Sequence, residues 1–244
     1  MKPFLLIATR DHDQAAADEY QAVLRHAGLR PEELQHLRLE AAPMPSIALD
    51  DYAGILLGGS SFNVSDTDKS PVQLRVEAEL GQLLDRVVAA DVPFLGMCYG
   101  IGIIVDALGG TVSTDHGEPV SAAEIRLTAA GLADPLLAGI GDSFHAFVAH
   151  KEGCATAPSG VDVLGEGSAG PLQLIRIGRH VYATQFHPEL DADDLATRMK
   201  IYANAGYFAP DEYAALVAQA KASPVDGRQH LLLRNFVQLA RGSR

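Results

Sequence analysis

Short apolar runs and longer helical patterns alternate through the first half of the chain. The run over residues 4–9 is continuously apolar and lies between Pro3 and Arg10, which is typical of a strand buried on both faces of a sheet. Beyond it, apolar residues recur at helical spacing as far as Gly28, and this predicts a helix closed by a glycine cap. The alternation continues with predicted strands LQHLRLE, YAGILLGG and VPFLGM and predicted helices PVQLRVEAELGQLLDRVVAA and YGIGIIVDALGG.

Strands and helices joined by short connections predict an α/β fold with an open, mostly parallel sheet and helices on both faces. The second half adds further predicted strands: TVS, AEIRLT, FHAFVAH, VDVLGEG, PLQLIRI and HVYATQF. Helical segments are predicted at about 191–221 and 228–241. No repeat or linker divides the chain, so a single domain over residues 1–244 is expected. Such sheets bind ligands beyond the carboxyl ends of their strands.

The charge and cysteine content restrict the class of protein. The chain has 244 residues and a net charge of −12, which argues against binding to nucleic acid or to an anionic membrane surface. Its two cysteines cannot form a disulfide framework, so a cytoplasmic protein is expected. No apolar run approaches the roughly 18–20 residues of a membrane span.

One cysteine stands where a strand is predicted to run into a helix. In GMCYG, Gly96 and Gly100 flank Cys98 two positions away, as a sharp nucleophile elbow requires where strand and helix pass closely. The helix would direct its N-terminal N–H groups at the sulfur, favouring the thiolate, and the Tyr99 N–H could bind an oxyanion. The alternative is a packed core thiol, which is the interpretation for Cys154.

A histidine followed closely by a carboxylate supplies a candidate base. In QFHPEL, His187 ends a strand-like run, Pro188 fixes a turn and Glu189 can orient the imidazole. Asp191 then fits the N-cap of a helix. Taken alone, this segment also fits a surface turn, but with an elbow cysteine it forms a coherent Cys–His–Glu set.

A double glycine ends the third predicted strand. Gly58 and Gly59 fit either an ordinary tight turn or a backbone that approaches a reacting carbonyl, with the Gly59 N–H as a second oxyanion donor. His116 has acidic neighbours but no second histidine or cysteine at ligand spacing. Neither a metal nor a cofactor is therefore expected.

The segments LLGGSS, GMCYG and QFHPEL, in this order and spacing, resemble the class I glutamine amidotransferases, and most closely the glutaminase part of GMP synthetase. The resemblance runs from about residue 54 to residue 189, and LLRNFV at 232–237 is similar to the helix that closes the family's domain. It implies the family's flavodoxin-like α/β fold and its catalytic triad.

The resemblance also implies a mechanism and site residues. Cys98 would attack the side-chain amide of glutamine, His187 would transfer the protons, Glu189 would orient His187, and the Gly59 and Tyr99 N–H groups would hold the oxyanion. The substrate would be lined by residues in LLGGSS, in CYGIG and in VAHKEG, namely Gly58, Ser60, Gly102, His150 and Lys151.

Three features depart from the family pattern. Gly102 stands where the family carries a substrate-binding glutamine, and Ser60 stands where a proline usually follows the double glycine. A helical insertion of about 40 residues, 191–228, precedes the closing helix 229–241, where the family needs only a short helix. The insertion could form a lid or a docking surface for a partner.

Three functions remain open. The first is a stand-alone glutaminase that releases glutamate and passes ammonia to a separate synthetase subunit, since no ATP-binding G-x-x-x-x-G-K-[ST] loop occurs. The second is a hydrolase of γ-glutamyl amides or peptides, which the space left by Gly102 favours. The third is a non-catalytic binding or regulatory protein on the same fold, which the intact Cys98, His187 and Glu189 argue against.

Overall fold

A computed structural model describes residues 1–242, so the last two residues of the predicted domain lie outside the described part. Within it, eleven strands and seven α-helices follow one another along the chain. The strands are β1 (Phe4–Thr9), β2 (Leu34–Arg38), β3 (Ile55–Ser60), β4 (Phe94–Met97), β5 (Val112–Ser113), β6 (Glu118–Leu127), β7 (Ser143–His150), β8 (Gly153–Cys154), β9 (Val161–Glu166), β10 (Leu174–Ile177) and β11 (Val181–Thr184). The helices are α1 (Asp13–Ala27), α2 (Pro71–Ala90), α3 (Tyr99–Ala107), α4 (Ala129–Ala133), α5 (Ala192–Ile201), α6 (Tyr213–Lys221) and α7 (His230–Gly242).

Nine of these strands form one sheet in the order β2-β1-β3-β4-β11-β10-β9-β6-β7. Strands β2, β1, β3, β4 and β11 pair in parallel. Strands β10, β9, β6 and β7 extend the sheet with antiparallel pairs. The predicted open, mostly parallel sheet with added strands in the second half is confirmed.

The apolar run of β1 is buried on both faces, as its continuous pattern predicted. Phe4 and Leu6 join one core beneath α1 and α7, whereas Leu5 and Ile7 join a second core beneath α2 and α3. Alternate side chains of a strand point to opposite faces, so an unbroken apolar run is what a sheet covered on both faces requires.

Local signals in the sequence mark several helix ends correctly. Helix α1 ends at Gly28, whose φ of +69° is left-handed, and α2 begins with Pro71 after the N-cap Ser70. Asp191 caps α5 by accepting two backbone N–H bonds. These motifs act within a few residues of each other, so the sequence is sufficient to locate them.

The predicted helical segment 191–221 is wrong as one continuous helix. Helix α5 ends at Ile201, and α6 starts only at Tyr213. Between them Gly206 adopts φ of +77° and Pro210 begins a short 3-10 turn, and neither feature is compatible with an uninterrupted α-helix. The short elements α4 and β8 were also not predicted.

The 191–228 segment packs on the antiparallel part of the sheet. Leu195 and Met199 of α5 and Ala220 of α6 form a third apolar core with Val120 and Phe147 of β6 and β7. Because of this packing, α5 lies near the carboxyl end of β11. Among residues 1–242, no helix has the length and apolar character needed to span a bilayer.

Candidate active site

Four residues lie at one edge of the sheet, each at or just beyond the carboxyl end of one of four parallel strands. Arg10 follows β1, Ser60 ends β3, Cys98 follows β4, and His187 lies three residues beyond β11. Strand β1 has β2 on one side and β3 on the other, so the strand order reverses there and opens a crevice. All four residues border the same pocket of about 490 Å³.

Cys98 occupies the sharp turn between β4 and α3. Its φ of +55° and ψ of −89° lie in a region that side-chain-bearing residues rarely adopt. The Cys98 N–H donates to Thr184 O of β11 at 2.8 Å, and this bond holds the turn against the neighbouring strand. The thiol is only partly buried, so the turn presents it to the pocket.

Gly96 is required by the close approach of strand and helix. A Cβ built on Gly96 would lie 3.0 Å from Gly100 Cα, which is tighter than nine in ten real Cβ contacts, whereas a Cβ on Gly100 would meet Leu57 Cδ2 at an ordinary 3.6 Å. We expect Gly96→Ala to lower the free energy of unfolding by about 1–3 kcal/mol, because overpacking forces the backbone apart. Urea unfolding measures the loss.

Gly81→Ala in the middle of α2 is the matched control for Gly96→Ala. A Cβ at Gly81 meets no atom within 4 Å, so alanine should raise stability by about 0.5–1 kcal/mol through its better helix propensity. Equal effects of the two substitutions would contradict the close-approach argument.

His187 and Glu189 form a buried hydrogen-bonded pair. His187 Nδ1 lies 2.8 Å from Glu189 Oε1, and the Glu189 side chain is fully buried. The loop that carries them is fixed from two sides. The His187 N–H donates to Phe147 O at 3.0 Å, and Pro188 O lies 2.7 Å from His230 Nδ1 at the start of α7. The imidazole is therefore oriented with its other side toward Cys98.

The electrostatics of the three residues favour a thiolate–imidazolium pair. Burial alone would raise the pKa of Cys98, but the charge of His187 and a hydrogen bond with it bring that pKa below its usual value. Burial would lower the pKa of His187, yet Glu189 and Cys98 raise it to about 9. Burial would also raise the pKa of Glu189, but His187 and Arg198 hold it well below its usual range.

These shifts predict how the thiol reacts with pH. The rate of Cys98 alkylation by iodoacetamide should rise with pH as the thiol ionises, with a midpoint below the ordinary thiol pKa of 9.0. The reason is that the imidazolium stabilises the thiolate. His187→Asn removes that charge and should move the profile upward by one unit or more, an effect on the order of 1.4 kcal/mol per unit. Alkylation rates from pH 5 to 10 test this, and an unchanged profile in His187→Asn would contradict it.

Two arginines that the sequence analysis missed complete the charge network. Arg198 of α5 donates from Nη1 to Glu189 Oε1 at 2.9 Å, the oxygen that also binds His187. Arg10 pairs with buried Glu19 of α1 at 3.0 Å. No spacing in the sequence relates these residues, because they meet only through the packing of α1 and α5 near β1.

The double glycine is engaged in a way that the sequence did not predict. The Gly59 N–H donates to Glu19 Oε1 at 3.2 Å, so in this structure it has a partner other than a substrate. A Cβ on Gly59 would lie 2.3 Å from Arg10 Nη2, and one on Gly58 would lie 2.1 Å from Glu19 Oε2. Both glycines therefore make room for the Arg10–Glu19 pair. Gly58 was expected to line the substrate, but it borders neither cavity at Cys98.

A second cavity of about 350 Å³ shares Cys98 and Ser60 with the first and is also bordered by Tyr99, Gly102 and His150. A Cβ on Gly102 would lie 3.5 Å from Glu152 Oε1. The Glu152 carboxylate therefore stands beside the position where the family's glutamine side chain would begin. It also accepts bonds from two backbone N–H groups, those of Val64 and Ser65, at 2.7 and 2.8 Å.

His150 lines this cavity, and both of its ring nitrogens have an oxygen partner. Nδ1 lies 2.6 Å from Glu152 O, and Nε2 lies 2.9 Å from Glu118 Oε2. These two contacts hold the ring in one orientation. The Coulombic effect of His150 also contributes to the lowered pKa of Cys98.

Lys151 and Cys154 do not take part in the site as reactive groups. Lys151 was expected to line the substrate but lies outside both cavities. Its Nζ donates to Ala205 O at 2.7 Å and lies 4.7 Å from the centre of the Tyr207 ring. Lys151 therefore stabilises the 202–212 turn. Cys154 is buried, and burial raises its pKa to about 12, in line with a packed thiol.

Comparison with known proteins gives one family. The family model described as "Glutamine amidotransferase class-I" matches residues 18–200. Among relatives, the GMP synthase [glutamine-hydrolyzing] of Leifsonia xyli subsp. xyli is 32% identical over 170 residues, which are 68% of this chain and 31% of that protein. One of the subunits of the GMP synthase [glutamine-hydrolyzing] of Methanosphaera stadtmanae is 31% identical over 112 residues, which are 46% of this chain and 59% of that protein. The chain thus spans less than two thirds of either relative.

Solved structures of similar shape cover almost the whole chain. A glutamine amidotransferase from Thermotoga maritima superposes with a TM-score of 0.77 at 17% identity, covering 99% of both chains. A glutamine amidotransferase from Methylobacillus flagellatus gives 0.67 at 18% identity, covering 96% of this chain and 94% of the other. At these identities the likeness establishes the fold.

Proposed function

The chain belongs to the class I glutamine amidotransferase family, and from that premise we propose that it hydrolyses the side-chain amide of glutamine through a Cys98 thioester. One observation carries the proposal: a partly exposed cysteine at a positive-φ turn borders the same pocket as His187, whose partner Glu189 is buried. Activating a thiol for attack on an amide requires these three groups.

In the proposed reaction the Cys98 thiolate attacks the amide carbon, and a C–S bond forms. The tetrahedral intermediate then collapses, the C–N bond breaks, and His187 gives its proton to the leaving nitrogen, so ammonia departs. Water attacks the thioester with His187 as the base, which releases glutamate and restores the thiol. Glu189 stabilises the imidazolium throughout.

The oxyanion is assigned to two backbone donors. The Tyr99 N–H opens α3, where the first N–H groups of a helix have no intrahelical acceptor. The Gly59 N–H would exchange Glu19 Oε1 for the oxyanion when substrate binds. We place the γ-glutamyl part of the substrate in the cavity beside Ser60, Gly102 and His150, with its α-ammonium group on Glu152.

The ammonia acceptor is proposed to be a separate synthetase subunit. Support comes from the Methanosphaera relative, whose name describes one of several subunits of a GMP synthase, and from the lack of an ATP-binding G-x-x-x-x-G-K-[ST] loop in the 244 residues. In this proposal residues 191–228 act as a lid, because α5 and the turn after it border the pocket that contains Cys98.

The test is release of glutamate and ammonia from L-glutamine by the purified chain. Mass spectrometry of acid-quenched protein detects a γ-glutamyl group on Cys98 even if turnover is slow without a partner. Release or acylation is the expected result. The proposal is overturned if glutamate and ammonia are not released and no acylated Cys98 is detected.

A second candidate, hydrolysis of γ-glutamyl amides or peptides by the same chemistry, is favoured by a specific observation. Cys98 borders two cavities, whereas a reaction that releases only ammonia needs room for one γ-glutamyl group. The non-catalytic alternative has no comparable observation in its favour.

A further inference from the structure

The pocket next to His187 is largely apolar, and the 191–228 segment supplies much of its wall. It encloses about 490 Å³ of space, counted out to its open mouth. Leu195 and Met199 of α5 and Tyr202, Tyr207 and Phe208 of the following turn line it together with Cys98 and His187. Leu195, Met199 and Tyr202 are themselves buried, so their packing fixes the wall.

The position of His187 decides which half of a substrate enters this pocket. The leaving nitrogen must lie within reach of the imidazole that protonates it, and His187 borders this pocket and not the cavity at Gly102. The leaving group therefore occupies the pocket. Ammonia is about the size of a water molecule, so it would leave the apolar side chains that line the pocket without a contact.

A buried arginine provides a polar anchor at the same place. Arg10 is 4% exposed, and its Nη2 makes no hydrogen bond within the described chain, although it lies 3.0 Å from Glu19 Oε1. Nη2 and His187 Cε1 both lie within 3.0 Å of the point where a Gly59 Cβ would be. The guanidinium is thus adjacent to the group that meets the leaving nitrogen.

The proximity of Arg10 to His187 fits an amino acid as the leaving group. In an amino acid the carboxylate carbon lies about 2.5 Å from the amino nitrogen, two bonds away. A nitrogen at His187 therefore brings the carboxylate toward Arg10, and a guanidinium is well suited to bind it. The side chain of the amino acid would then point among Leu195, Met199 and Phe208.

We propose that the preferred substrates are γ-glutamyl dipeptides whose second residue is apolar or aromatic. This inference rests on the thioester chemistry proposed above. Cys98 Sγ bonds to the carbonyl carbon of the γ-glutamyl group, the C–N bond of the isopeptide breaks, and the His187 proton goes to the amino acid nitrogen. Water then attacks the thioester, the C–S bond breaks, and glutamate and the free thiol are released.

Three substrates test the inference on the unmodified chain: L-glutamine, γ-glutamyl-phenylalanine and γ-glutamyl-phenethylamide, which lacks the second carboxylate. We expect kcat/KM for the dipeptide to exceed both others by about 10-fold or more, as is usual for a filled apolar pocket and a charged contact. Equal values for dipeptide and phenethylamide would overturn the contact with Arg10 and hence the dipeptide assignment.

A substitution inside the pocket tests the placement of the leaving group. Met199→Trp should lower kcat/KM for γ-glutamyl-phenylalanine about 10-fold by filling the space. Lys200→Ala, at the next residue on the exposed side of α5, is the matched control and should leave it unchanged. Equal effects of the two substitutions in folded protein would overturn the placement.

A second measurement needs no substitution. With glutamine as donor, added L-phenylalanine should intercept the thioester. Its amine attacks the acyl carbon and gives up a proton to His187, the C–S bond breaks, and γ-glutamyl-phenylalanine and the Cys98 thiol are released. Glutamine hydrolysis without this product, and with no faster cleavage of the dipeptide, would overturn the inference while leaving the proposed glutaminase in place. Failure to act on all three substrates, with no acylated Cys98, would overturn both.

Discussion

Replacing Cys98 by alanine is expected to reduce glutamine hydrolysis by at least about 10⁴-fold. The substitution removes the group placed to form the thioester, and loss of a nucleophile from a catalytic triad typically costs this much or more. The protein should remain folded, because Cys98 contributes a partly exposed side chain rather than core packing. Rates of glutamate release, measured beside circular dichroism, check both statements.

Cys154→Ala is the matched control for Cys98→Ala. Cys154 is the second of the two cysteines, and it is buried with a raised pKa. Its replacement should therefore change the rate by less than about 10-fold, through packing alone. Wild-type rates in Cys98→Ala, or a larger loss in Cys154→Ala, would contradict the assignment of the nucleophile.

Glu189→Gln is expected to lower kcat by about 10³–10⁴-fold, since an amide that replaces a triad carboxylate no longer fixes the tautomer of the histidine. Glu189 Oε1 binds both His187 Nδ1 at 2.8 Å and Arg198 Nη1 at 2.9 Å. A neutral amide leaves the Arg198 charge without its closest partner. It also removes the interaction that raises the pKa of His187. The pKa of His187 should fall, so the imidazolium should be lost at a lower pH than in the wild type.

The pH–rate profile separates this role from a purely structural one. The group with a pKa of about 9 should titrate at a lower pH in Glu189→Gln. Asp193→Asn, also a change from carboxylate to amide but on the exposed face of α5, should shift neither rate nor profile. A slower enzyme with an unchanged profile would indicate that Glu189 acts only through folding.

Many local features of this protein follow directly from its sequence. The run at residues 4–9 becomes β1, Pro71 starts α2, Gly28 ends α1 and Asp191 caps α5. The positive φ of Cys98 also agrees with the Gly-x-Cys-x-Gly pattern. Each is a property of a few adjacent residues, whose backbone preferences and side-chain spacing act before any tertiary contact forms.

The pairing of His187 with Glu189 belongs to the same class. The two residues are separated by one proline, so their hydrogen bond is local. The sequence analysis grouped them with Cys98 from the combination of motifs, and in the structure Cys98 and His187 follow neighbouring parallel strands, whose carboxyl ends lie together. The register of Met97 with Thr184 in β4 and β11 provides the physical link.

Only the tertiary structure decided the contacts that depend on how separate elements pack. It brought Arg198 to Glu189 and Arg10 to Glu19, gave the Gly59 N–H a carboxylate partner, and turned Lys151 away from the cavities toward Ala205. It also set His150 between Glu118 and Glu152. The sequence indicated the sharp turn at Cys98, the His187–Glu189 pair and the sheet. Neither spacing nor composition encodes the distance between side chains on helices that meet only after the sheet has formed.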